Sequence, residues 1–170
     1  MTSDSQQAKH PVSALLAGPY GHPFHPILVT VPIGTWVASV IFDIASRFAD
    51  DPEFLAKGSL WLIAIGVLGA LAAAMIGLLD LFAIPTGTAA YRTGLIHMSL
   101  NLAVTVAFAA GFLWRRSGGG PADAVSYGPL LLSAVSLAVL AVSGYLGGKL
   151  AYHYGVRVAD EATQASGFRR

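Results

Sequence analysis

Five histidines and a few acidic side chains are the groups here with the chemistry to hold a metal or move a proton near neutral pH. His22 and His25 lie in the run His22-Pro23-Phe24-His25-Pro26, His97 comes five residues after Arg92, and His153 closes the last apolar stretch. Imidazole binds iron, copper and zinc, and a carboxylate such as Asp80 adds charge compensation or a further ligand. The chain contains no cysteine. That excludes disulfides, zinc ribbons, iron–sulfur ligation by this chain and covalent c-type haem attachment. A b-type haem or a bare transition metal needs no cysteine. No Glu-x-x-His pair of the di-iron type, no phosphate-binding glycine loop and no nucleophile elbow is present, so hydrolase and kinase chemistry have no support.

The elements that must position these groups are set by where charge is missing. Of 170 residues, 55% are hydrophobic and 11% charged, against roughly a quarter charged in a soluble domain. Uncharged stretches of 33, 22, 22 and 25 residues separate Lys9 from Asp43, Lys57 from Asp80, Arg92 from Arg115 and Asp123 from Lys149. About 20 apolar residues span the hydrocarbon, so each stretch holds one helix. The expected fold is all-α, an integral membrane four-helix bundle in up-down-up-down order, with the lipid bilayer as its first partner. Residues 1–25 form an N-terminal tail and His-Pro segment, 26–155 the membrane domain and 156–170 a polar C-terminal tail. The spans are expected at 26–48, 59–84, 89–114 and 129–152, with a bend at Pro32 and a flexible glycine-rich loop after Arg116. No internal repeat is visible. Net charge is +1, which gives no basic surface for nucleic acid. Residues 1–10 are polar, and Pro19 and Gly21 interrupt the chain before any long apolar region has formed. The first span therefore reads as a retained anchor rather than a cleaved signal.

An even number of spans puts both termini on one side. That side carries six Lys and Arg against four on the other, which predicts cytoplasmic termini in the inner membrane. The same topology gathers His22, His25, His97 and His153 at the terminal end, with Asp80 at nearly the depth of His97. The opposite leaflet has no histidine, which limits the bundle to one haem per chain.

Thr93, His97, Asn101 and Thr105 recur every fourth residue as a polar stripe on the third helix, and such groups need partners in hydrocarbon. The bland alternative for His97 is a hydrogen bond to Asp80; for Asp80 it is a salt link to Arg92. Gly66, Ala70, Ala73, Gly77 and Asp80 share one stripe of the second helix, read as a packing face that lets another helix approach. Ser136, Ser143 and Gly147 do the same on the fourth. Proline after each of His22 and His25 predicts a stiff, non-helical segment able to fold over the bundle mouth. His153 lies well round its helix from Ser143 and Gly147. Asp43 and Arg47 read as a surface pair at the far interface, and His10 as a tail residue.

The His-Pro-Phe-His-Pro run with Pro32, Gly77 to Asp80, His97 to Asn101, and Gly147-Gly148-Lys149-Leu150-Ala151-Tyr152 with Gly155-Val156 beyond it resemble one bacterial family of small membrane proteins, known as a domain of unknown function. The resemblance covers roughly residues 20–158 and implies a four-helix membrane protein with no established activity. Some members are joined to Rieske-type iron–sulfur domains, which implies electron transfer; this chain would need a separate redox partner protein. The function expected is a metal- or haem-binding membrane module, with His97 as one ligand, His22 or His25 as a second and Asp80 as an inward carboxylate. The alternative is a non-catalytic membrane subunit or small transporter whose polar stripe is structural or relays protons.

Overall fold

In the computed structural model the described residues are 6–11, 17–117 and 123–168. Four helices are long and apolar enough to cross a membrane: α1 (His25–Ser46), α2 (Glu53–Phe82), α3 (Ala89–Ser117) and α4 (Tyr127–His153), with mean hydropathy from 1.7 to 2.6. A short α5 (Glu161–Ser166) comes last, and no strand occurs among the described residues. Asp160 caps α5 by accepting from the Thr163 amide at 2.8 Å, a bond that holds its carboxyl below the usual range. The expected glycine-rich loop lies, beyond Ser117, outside the described residues.

The helix ends have local causes. Pro26 sits in the first turn of α1, where a missing N–H costs nothing. Regular helix breaks at Val29, three residues before Pro32, because the proline ring displaces the carbonyl of the preceding turn. α2 starts earlier than the apolar stretch suggests, since Pro52 caps it and Glu53 pairs with Lys57 one turn on. Gly87, with φ +80°, makes the turn between α2 and α3.

The bundle is arranged in the opposite sense to a water-soluble one. Large apolar side chains point outward, among them Trp61, Leu68, Met75, Leu102 and Leu131, each more than 60% exposed. Ser39, Asp43, Ser59 and Ser143 are fully buried. Hydrocarbon solvates the first set at no cost, whereas the second set must find partners inside. α1 packs on α2 and α4, and α3 packs on α2 and α4, so α1 and α3 lie diagonally and their large side chains meet in the centre. There Trp36 stacks on Phe108, ring centroids 4.3 Å apart and planes 8° from parallel, beside Ile63 and Val104.

Two expectations need correction here. Asp43 is no surface residue: Arg115 of the diagonal helix reaches it at 2.7 Å through both guanidinium ends. Ser59 donates to the same carboxylate, and Ser133 accepts from Arg115 at 3.0 Å. Arg47 instead donates to the Val125 carbonyl and lies over the Tyr127 ring. Nor is the C-terminal segment wholly a solvated tail. Arg157, at φ +59°, folds back with its amide on the Ala8 carbonyl and its side chain 6% exposed.

Candidate functional site

His25 and His97 meet at the terminal end of the bundle, their ring centroids 6.4 Å apart and their planes 82° apart. His25 is helical, the first residue of α1, where the sequence predicts a non-helical segment. Its place in the first turn satisfies both constraints: Pro26 can come after it there, and the ring turns into the bundle. His22 alone keeps the extended conformation, ψ 122°, and pairs with the Tyr20 hydroxyl at 2.7 Å.

Each of the two facing rings is held in the same way. His25 Nδ1 lies 2.9 Å from the Ala73 carbonyl on α2, and His97 Nδ1 lies 2.8 Å from the Ser143 carbonyl on α4. A carbonyl only accepts, so Nδ1 carries a proton in both, and in the neutral form of each ring the lone pair is on Nε2. Asn101 Nδ2 approaches His97 Nε2 at 3.2 Å, but its two hydrogens have nearer acceptors in the His97 carbonyl (2.9 Å) and Ser143 Oγ (2.8 Å).

The small residues of the α2 stripe turn out to admit side chains rather than a helix backbone. A Cβ on Gly77 would stand 2.8 Å from His25 Cε1, and one on Gly147 would stand 3.0 Å from His97 Cε1. A Cβ on Gly66 would collide with the Trp36 ring. Ala73 supplies its carbonyl, and Ala70 packs against the aromatic centre. Gly77→Leu is therefore expected to displace the His25 ring and lower the detergent melting temperature, with an overpacking cost of ~1–3 kcal/mol. Gly34→Leu is the control, since a Cβ there meets nothing within 4 Å. Equal melting of the two variants would remove Gly77 from the account of the site.

The rest of the expected polar set divides. Thr93 and Thr105 satisfy their hydroxyls on their own helix, at the Ala89 and Asn101 carbonyls. Only His97 and Asn101 of that stripe cross to α4. His97 bonds Ser143 rather than Asp80. The partner of Asp80 is Arg157, Nε to Oδ1 3.0 Å, rather than Arg92. Asp80 also stands within electrostatic reach of His25. Arg157 Nη2 is buried with no protein partner. His153 is exposed and its ring lies edge-on to Tyr154, centroids 4.8 Å apart. Among the described residues, no three His, Cys, Asp or Glu side chains gather as a metal-ligand group. Of the expected ligands, the structure sets His25 and His97 face to face, while His22 pairs with Tyr20, His153 with Tyr154 and Asp80 with Arg157.

With this geometry the family can be stated. Residues 21–160 match the family model described as "Predicted membrane protein (DUF2231)". The chain belongs to that family. No curated protein and no solved structure matches it. The match spans all four apolar helices of this DUF2231 protein, the histidine pair and the returning Arg157. The Asp43–Arg115 network escapes a reading based on residue type, because each partner borders an apolar stretch and resembles an interfacial charge. One signal was present: Asp43 lies eighteen residues after His25, and Arg115 lies eighteen after His97.

Proposed function

We propose that this DUF2231 protein is a membrane-embedded redox module in which His25 and His97 together bind one transition-metal centre. The observation that carries the proposal is the shared geometry of the two rings: each gives Nδ1–H to a carbonyl of a neighbouring helix, and their centroids lie 6.4 Å apart. Histidine ligands are commonly oriented in this way, with the second nitrogen bonded to a carbonyl or carboxylate. A metal about 2.1 Å from one nitrogen of each of two opposed imidazoles sets the ring centroids about 6 Å apart, which agrees with 6.4 Å.

Two protein ligands suit haem iron better than a bare ion, because the porphyrin supplies the other four nitrogens. When bound, such a centre would supply one-electron chemistry between a donor and an acceptor protein, with His25 and His97 as its protein ligands and His22 and His153 outside the ligation. The test is the absorption spectrum and metal content of protein purified in mild detergent from cells supplied with iron and haem precursor. A Soret band supports haem, and bound metal without one supports a bare ion. Colourless, metal-free protein rejects the proposal and favours the second reading, in which Asn101, Ser143 and His97 simply latch α3 to α4.

The orientation we propose places both termini in the cytoplasm of a bacterial cell. Arg115 and Arg157 are neutralised inside the bundle by Asp43 and Asp80. Leaving these out keeps the terminal side ahead, five cations to three. A reporter fused after residue 170 is expected to read cytoplasmic and one inserted between residues 118 and 122 periplasmic; the reverse pattern would invert the assignment.

A further inference from the structure

The two helical hairpins, α1–α2 and α3–α4, repeat each other contact by contact. His25 bonds the Ala73 carbonyl and lies over Gly77; His97 bonds the Ser143 carbonyl and lies over Gly147. The first helices correspond at an offset of 72 residues and the second helices at 70. The same offsets return at the other end of the bundle. A Cβ on Gly58 would meet the Phe42 ring at 2.8 Å, and one on Gly128 would meet the Trp114 ring at 2.9 Å. Burial repeats too: Pro129, Ser133, Ser136 and Ser143 are the buried residues of α4 as far as Gly148, and each has a buried counterpart in α2.

Contacts between the hairpins supply an axis. His25 faces His97, Trp36 stacks on Phe108, and Asp43 pairs with Arg115. In each case a residue meets its own counterpart at the offset of 72, which happens only on a two-fold axis, as in an isologous interface. The three pairs are 11 and 7 residues apart along the helix, about 16 and 10 Å. The axis therefore runs down the centre of the bundle.

We infer that the chain is two copies of one histidine-bearing hairpin fused in tandem, related by a two-fold axis along the membrane normal, with the Asp43–Arg115 pair enforcing their association within one chain. Parallel repeats of this kind recur among membrane proteins. At an axis, identical residues would face identical residues. Two first hairpins would bury Asp43 against Asp43, and two second hairpins Arg115 against Arg115; like charges without water are strongly disfavoured. Opposite charges at equivalent positions allow only the mixed pairing. The repeat also makes His25 and His97 halves of one symmetric site, but the inference does not depend on a metal being bound.

Two exchange variants test it, read by melting temperature and oligomeric state in detergent. Asp43→Arg and Arg115→Asp are each expected to lose much of the melting temperature of the parent, and the double variant to recover most of it as a monomer. Should the single variants not fold, the milder exchange still decides. Trp36 Nε1 reaches the Ile63 carbonyl, and the counterpart of Ile63 is Ser133. Gly66, which leaves room for the Trp36 ring, has Ser136 as its counterpart. Trp36→Phe with Phe108→Trp and Ser136→Gly should therefore melt above Trp36→Phe with Ser136→Gly, the new indole bonding the Ser133 carbonyl. If neither exchange recovers stability over the variants it is compared with, the two halves are not equivalent and the inference fails.

Discussion

Replacing Arg115 by leucine is expected to leave Asp43 as a buried carboxylate without a counter-charge and to lower stability by ~3–5 kcal/mol. Asp43 is fully buried and the Arg115 side chain is 6% exposed, so solvent screening takes little from this figure. In a bundle of this size that corresponds to about 10 °C or more of melting temperature. The network makes the loss asymmetric. Without Arg115, Asp43 keeps the Ser59 hydroxyl as a donor, whereas without Asp43 the guanidinium keeps Ser59, Ser133 and the Pro129 carbonyl. Asp43→Leu should therefore cost somewhat less than Arg115→Leu. The double leucine variant should cost less than either, since removing both charges removes the desolvation problem. Thermal melts of the three variants in one detergent check the order. A double variant that melts below both single variants would show that the ion pair contributes net stability beyond avoiding an unpaired charge.

Much of the bundle is written plainly in the chain. Long uncharged stretches bounded by charge specify four helices, because length and hydropathy are local properties and the bilayer imposes one length on all of them. The depth of His97 was legible for the same reason, by counting residues from Arg92. Angular position was harder. The Gly77 stripe is visible at spacings of three and four, but the sequence does not say whether a helix or a side chain fills the groove; His25 fills it. The place of His25 depended on which of two His-Pro peptides begins the helix, a choice that steric preference before proline does not make. Arg157 was hidden for a different reason. Nothing local distinguishes a tail arginine from one whose backbone folds back to Ala8 and sets the guanidinium beside Asp80. The repeat is obscured because the distinctive matches are few: His25 and His97, Gly77 and Gly147, and Gly58 and Gly128 are identical, other identities are common Leu or Ala, and Trp36 faces Phe108 while Asp43 faces Arg115.

The metal content per chain of the parent, His25→Ala and His97→Ala, purified side by side, tests the central claim most directly. Both rings lie against glycines and bond carbonyls in the same manner. Each alanine variant thus gives up one neutral hydrogen bond, about 1 kcal/mol, plus some ring packing, and the bundle should remain folded. A centre held by two protein ligands loses half of its protein coordination with either change. The parent is predicted to hold one metal or haem per chain and both variants essentially none, with helix content retained. His153→Ala, which removes an exposed histidine, should match the parent. Full metal content in either the His25 or the His97 variant would contradict the shared site.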